Sequence, residues 1–220
     1  MEQTVRRFIR PALWLLVLAP IAWMIARGVL GMLGANPIER LEDETGQWTL
    51  RFLAASLAIT PLIRVTRWGW LITQRRFLGL AAFWFAFLHL SIYTGLDNFF
   101  DVDDIVKDVL KHLYITVGMA AFLMLLPLAI TSTKGWIRRL GGKRWNLLHR
   151  LVYVAAVAGC IHFMWSVKKD ITEPLIYMVV FAVLFALRLV QRRDDRARRR
   201  VDNRAVDAAV DASGERAPAV

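Results

Sequence analysis

The 220-residue chain has a single cysteine, Cys160, so it cannot form an internal disulfide, and a disulfide-stapled secreted domain is excluded. No CxxC pair offers a zinc or thiol–disulfide site. A Gly-rich phosphate loop, a nucleophile elbow and a repeat of solenoid period are likewise missing. Acidic residues are few beside basic ones, 18 Asp and Glu against 29 Lys and Arg, which leaves a formal net charge of +11. Charge of either sign is nearly absent from several long stretches. That last absence excludes a soluble enzyme and a disordered tail protein, because a helix needs about 20 apolar residues to cross roughly 30 Å of hydrocarbon.

The residues present agree with a membrane protein. Apolar types make up 57% of the chain, and nine tryptophans suit interfacial belts. Six spans are expected, at 11–33, 48–65, 77–96, 113–131, 147–165 and 174–190, with Thr60-Pro61 expected to kink the second. The fold class is therefore all-α integral membrane, a six-helix transmembrane bundle. Residues 1–10 form a cytoplasmic arm and 11–190 the bundle, and 191–220 read as a charged, disordered tail at the lipid surface. The first span follows a basic start, but its apolar run exceeds the ~7–15 residues of a signal-peptide h-region, so it is read as uncleaved.

Basic residues alternate between the two sides. Twenty-one Lys and Arg lie in the N-terminal arm, the second-to-third loop, the fourth-to-fifth loop and the segment from Arg188. Six lie opposite: Arg40, Arg51, Lys107, Lys111, Lys168 and Lys169. The positive-inside rule then places both termini in the cytoplasm. The positive charge falls in short loops and a tail, which fits anionic lipid and topology signals and argues against nucleic acid.

Four histidines carry the chemistry: His89, His112, His149 and His162. An intramembrane ionisable residue is costly and marks function. His89 on the third span and His162 on the fifth lie at matching depth toward the periplasm. They are expected to hold one haem b between the third and fifth helices, as a low-spin bis-imidazole site suited to electron transfer. His149, about 20 Å away along an ideal helix, would belong to a second haem near the cytoplasmic face. Its counterpart on the third helix is a guanidinium, Arg75, beside Arg76. Either could pair a propionate or approach the iron, and Arg150 is a further propionate partner. An ideal helix sets His149 and His162 about 140° apart, so stacked haems would need a tightened or tilted turn. His112 reads as an interfacial side chain and Cys160 as a packing residue.

These positions fall within a recognisable pattern: Asn36-Pro37, Thr45-Gly46-Gln47-Trp48, Thr60-Pro61-Leu62, Arg75-Arg76-x-Leu78-Gly79-Leu80, His89-Leu90-x-x-Tyr93, Pro127-Leu128-Ala129-x-Thr131-Ser132 and Trp145-x-x-Leu148-His149-Arg150-Leu151-x-Tyr153. It resembles the MsrQ (YedZ) family over residues 1 to about 190, and more distantly the ferric-reductase transmembrane domain. The resemblance implies a haem b subunit of the bacterial inner membrane. Such a subunit takes electrons from the quinone pool and passes them to a periplasmic molybdopterin methionine sulfoxide reductase, MsrP, in the repair of oxidised envelope proteins. It also implies FMN as a cofactor. Family histidines match His89, His149 and His162. Two other readings stay open: a cytochrome b subunit of another oxidoreductase or a ferric reductase, and a small proton- or metal-coupled transporter.

The charge asymmetry sets a topology test. An alkaline phosphatase fusion at the C-terminus should be inactive, and one inserted within 97–108 should be active. The reverse pattern would overturn the orientation.

Overall fold

The computed structural model describes residues 2–167 and 170–213, all helical or in short connections. Lys168 and Lys169, used in the charge count, and positions 214–220 of the expected tail lie outside the described residues. The helices are α1 (Glu2–Val29), α2 (Pro37–Thr66), α3 (Ile72–Ile92), α4 (Val102–Lys111), α5 (Leu113–Ile130), α6 (Lys134–Leu148), α7 (Leu151–Ser166) and α8 (Thr172–Ser213). Among the described residues five helical stretches are long and apolar enough to span a membrane, and α6 with α7, bent by 42° at their junction, meets the same test as a pair.

Local chemistry explains the helix starts. Asn36 caps α2 by accepting from the Glu39 N–H, and Pro37 fills the first turn, where its missing N–H costs nothing. Asp101 accepts from the Asp103 and Asp104 N–H groups to start α4. Pro61 lies inside α2, which runs on to Thr66.

The bundle is inverted relative to a soluble protein. Leu15, Trp23, Val29 and Val65 are exposed, whereas Phe52, Leu57 and Phe85 are fully buried. So large an apolar exterior needs lipid around it. The closest pairs are α2 with α3 and α5 with α7. Phe52 and Phe85 meet at 5.2 Å between ring centroids, with Trp48 against both. The buried alanines Ala81, Ala82, Ala155 and Ala156 let backbones approach.

Three segments depart from the sequence reading. Helices α4 and α6 were not expected. They lie in polar connections, and α6 holds a break at Gly141, whose φ is +72°. The fifth span begins at Leu151 instead of 147, after the bend. Within the region expected as a charged tail, α8 runs on as helix to Ser213. Arg64 on α2 fixes its course by donating to the Gln191 carbonyl at 3.1 Å and pairing with Asp195.

Arg188 joins three helices at the basic end. It is 8% exposed. Its Nη1 donates to the Tyr153 hydroxyl and its Nη2 to the Leu57 carbonyl, both at 2.6 Å, with Thr60 Oγ1 at 3.3 Å. A planar fork makes these contacts together, and an ammonium cannot. Arg188→Lys should therefore cost about 1.5–3 kcal/mol of stability, the range for hydrogen bonds to a charged group. Thermal unfolding of the detergent-solubilised protein measures it, and an unchanged melting temperature would show that the fork adds nothing.

Candidate haem-ligand site

His89 lies in the last turn of α3, and His162 lies near the end of α7. Helices α3 and α7 bring the two rings face to edge, with centroids 6.0 Å apart and planes at 78°. Each ring is fixed by a helix other than its own. His89 Nδ1 lies 2.9 Å from the Glu42 carbonyl on α2, and His162 Nδ1 lies 2.7 Å from the Tyr114 carbonyl on α5. A carbonyl oxygen only accepts, so each Nδ1 carries the proton and donates it. Each Nε2 keeps its lone pair. This is the tautomer and second-shell bond that metal-ligating histidines use.

The ring spacing suits one shared ion. An imidazole binds a metal at about 2 Å, so two rings on one ion stand roughly 6 Å apart between centres. Among the described residues no third His, Cys, Asp or Glu joins them to complete a cage for a bare metal ion. A macrocycle supplying four equatorial donors fits two protein ligands. Both histidines line a cavity of about 290 Å³ whose inner wall is Leu50, Leu53, Phe122 and Leu125. Asp43 and Asp97, both exposed, mark its open side, and Glu42, Asp108 and His112 also line it. His112 is partly exposed and stands 3.9 Å from Asp108 Oδ1, beyond hydrogen-bond range, as an interfacial side chain would.

His149 lies elsewhere in the fold. It caps α6 at the bend before α7, so it does not share a straight helix with His162, and the 140° phase relation expected for one helix does not apply. Thr131 Oγ1 donates to the Pro127 carbonyl at 2.6 Å and accepts from His149 Nε2 at 3.1 Å. The Trp145 ring stacks on the His149 ring at 3.9 Å, and its Nε1 donates to the Thr131 carbonyl. A metal bond at this Nε2 would have to displace Thr131.

Arg75 is partly buried within electrostatic reach of His149, Arg188 and Tyr153. The structure thus brings Arg75 and His149 into one neighbourhood. Arg76 points elsewhere and lines a groove with Leu13 and Trp14 of α1. Arg150 is exposed at the start of α7.

Comparison with known proteins places this arrangement. A family model described as "Ferric reductase like transmembrane component" matches residues 45–160, from Thr45 on α2 to Cys160 on α7. The chain is 54% identical over 168 residues to "Protein-methionine-sulfoxide reductase heme-binding subunit MsrQ" of Rhodospirillum rubrum, an alignment covering 76% of this chain and 81% of the relative. The protein of the same name from Herminiimonas arsenicoxydans is 50% identical over 77% of this chain and 78% of its own length. That from Caulobacter vibrioides is 48% identical over 76% and 80%. The chain belongs to the MsrQ family.

The MsrQ motifs now have physical reasons. Asn36-Pro37 starts α2, Thr131 and Trp145 hold His149, and Tyr153 receives Arg188. Sequence reasoning assigned no role to Glu42, Tyr114 or Arg188. Any residue supplies a carbonyl, so only the fold reveals the first two. Arg188 had a signal, a lone cation inside an apolar run, but it was counted as topology charge.

Proposed function

We propose that this MsrQ-family chain is a haem b membrane electron-transfer subunit. It takes electrons from the quinone pool and delivers them to an MsrP-like periplasmic molybdopterin methionine sulfoxide reductase, in the repair of oxidised envelope proteins. The observation that carries this reading is the facing pair His89–His162, each with Nδ1 engaged and Nε2 free. Membership of the MsrQ family, whose members are named as haem-binding subunits of a protein-methionine-sulfoxide reductase, supports it. Haem, when bound, supplies a one-electron redox centre.

The residues of the chain do the rest. His89 and His162 would hold the group from two helices. Leu50, Leu53, Phe122 and Leu125 exclude water from the site. With the basic loops on the cytoplasmic side, the acidic mouth of the cavity faces the periplasm, where the partner is. The chain sits as a multi-pass protein in the inner membrane, among lipids that cover its apolar exterior. Haem at this one site is enough for the proposal. At the basic end, Arg75, His149 and the exposed Arg150 are the residues that would meet a second haem, with Thr131 as the competing partner of His149.

The test uses purified protein. His89→Ala or His162→Ala should abolish the low-spin spectrum and cut the haem content measured as pyridine haemochrome. His149→Ala should leave that spectrum intact. A quinol should reduce the haem of the unmodified protein. Full haem and an unchanged spectrum in both of the first two variants would contradict the ligand assignment.

A further inference from the structure

The two histidine–carbonyl bonds share an arrangement that the ligand assignment does not explain. In an α-helix the carbonyl of residue i accepts from the N–H of residue i+4. Its second lone pair points sideways, and side chains lean back toward the helix N-terminus, so the side chain at i+4 lies over it. A glycine at i+4 leaves that lone pair open. The carbonyl that receives His89 belongs to Glu42, and position 46 is glycine. The carbonyl that receives His162 belongs to Tyr114, and position 118 is glycine.

A third case repeats the arrangement at a contact without histidine. Ser56 Oγ donates to the Arg75 carbonyl at 2.9 Å, and position 79 is glycine. A Cβ at Gly79 would meet Ser56 Oγ at 3.4 Å. The three glycines differ in how much room they guard. A Cβ at Gly46 would lie 3.5 Å from the His89 ring, an ordinary contact. A Cβ at Gly118 would lie 2.6 Å from His162 Nδ1, 2.8 Å from Cε1 and 3.1 Å from Cγ. No ring can stay at those distances. The ring is tied to Tyr114 and crowded by α5, so the histidine must move.

We propose that Gly118 is a positioning residue for the haem ligand His162, acting by leaving the Tyr114 carbonyl open to Nδ1, with Gly46 a looser counterpart for His89. This rests on the His89–His162 ligand assignment. The bond from Nδ1 to a carbonyl fixes the tautomer and makes the ring a stronger donor through Nε2. Losing it weakens one axial ligand without removing it.

The experiment compares Gly118→Ala, Gly46→Ala and Gly79→Ala in the full-length purified protein, with His162→Ala as the reference. Gly118→Ala should lower haem affinity by about 10- to 100-fold, the range for loss of a second-shell partner. It should also convert low-spin haem to high-spin and raise the midpoint potential of what remains. Gly46→Ala should keep the low-spin spectrum. Gly79→Ala crowds a helix contact with no histidine in it, so its spectrum and potential should stay those of the unmodified protein. If Gly118→Ala does not fold, Gly118→Ala combined with His162→Ala decides, because removing the ring removes the clash and should restore a monodisperse protein. Failure of that double variant to fold overturns the proposal. So does a Gly118→Ala protein with unchanged spectrum and potential. A His162→Ala protein that keeps its low-spin haem overturns the ligand assignment itself.

Discussion

A helix carbonyl has two lone pairs and the helix uses one. The second, at Glu42 on α2 and at Tyr114 on α5, receives the ring N–H of a histidine from α3 and from α7. Those two bonds do more than hold side chains. They join the two closest-packed helix pairs, α2 with α3 and α5 with α7, at the depth where the histidines face one another. In hydrocarbon an unpaired imidazole N–H is costly, so the bonds also make two polar residues tolerable in an apolar bundle. One interaction thus satisfies buried polar groups, sets the tautomer and spaces the rings.

The two ends of the bundle solve different problems. At the acidic end both histidines line a cavity whose lining also carries Glu42, Asp43, Asp97 and Asp108. At the basic end two side chains are held by protein partners. Arg188 is spent on Tyr153, Leu57 and Thr60, and His149 is held between Thr131 and Trp145. The first end is built to receive a ligand. The second, as it stands, is built to lock α8, α7 and α2 together.

Much of this was legible in the sequence, for physical reasons. Bilayer thickness imposes a length on apolar runs, so the spans at 77–96 and 113–131 could be placed within a few residues. Depth along two spans running in the same direction was enough to pair His89 with His162. What failed was local backbone geometry. The bend between α6 and α7 moves His149 off the helix of His162, and nothing in Leu147–Leu151 as a string of residue types announces it. Helix α8 runs on from the last apolar span into the charged region, where Arg64 of α2 pairs with Asp195. The carbonyls at Glu42 and Tyr114 were invisible, since every residue has one. The readable trace was glycine four residues on, at 46 and 118.

The central claim is that one haem iron is held between His89 and His162 with the ring planes nearly perpendicular, 78° apart. Electron paramagnetic resonance of the oxidised, purified protein tests it most directly, because the low-spin signal depends on the angle between axial imidazole planes. The account predicts a highly anisotropic low-spin signal. A rhombic low-spin signal of parallel imidazoles, or a high-spin signal from iron with one histidine, would contradict it.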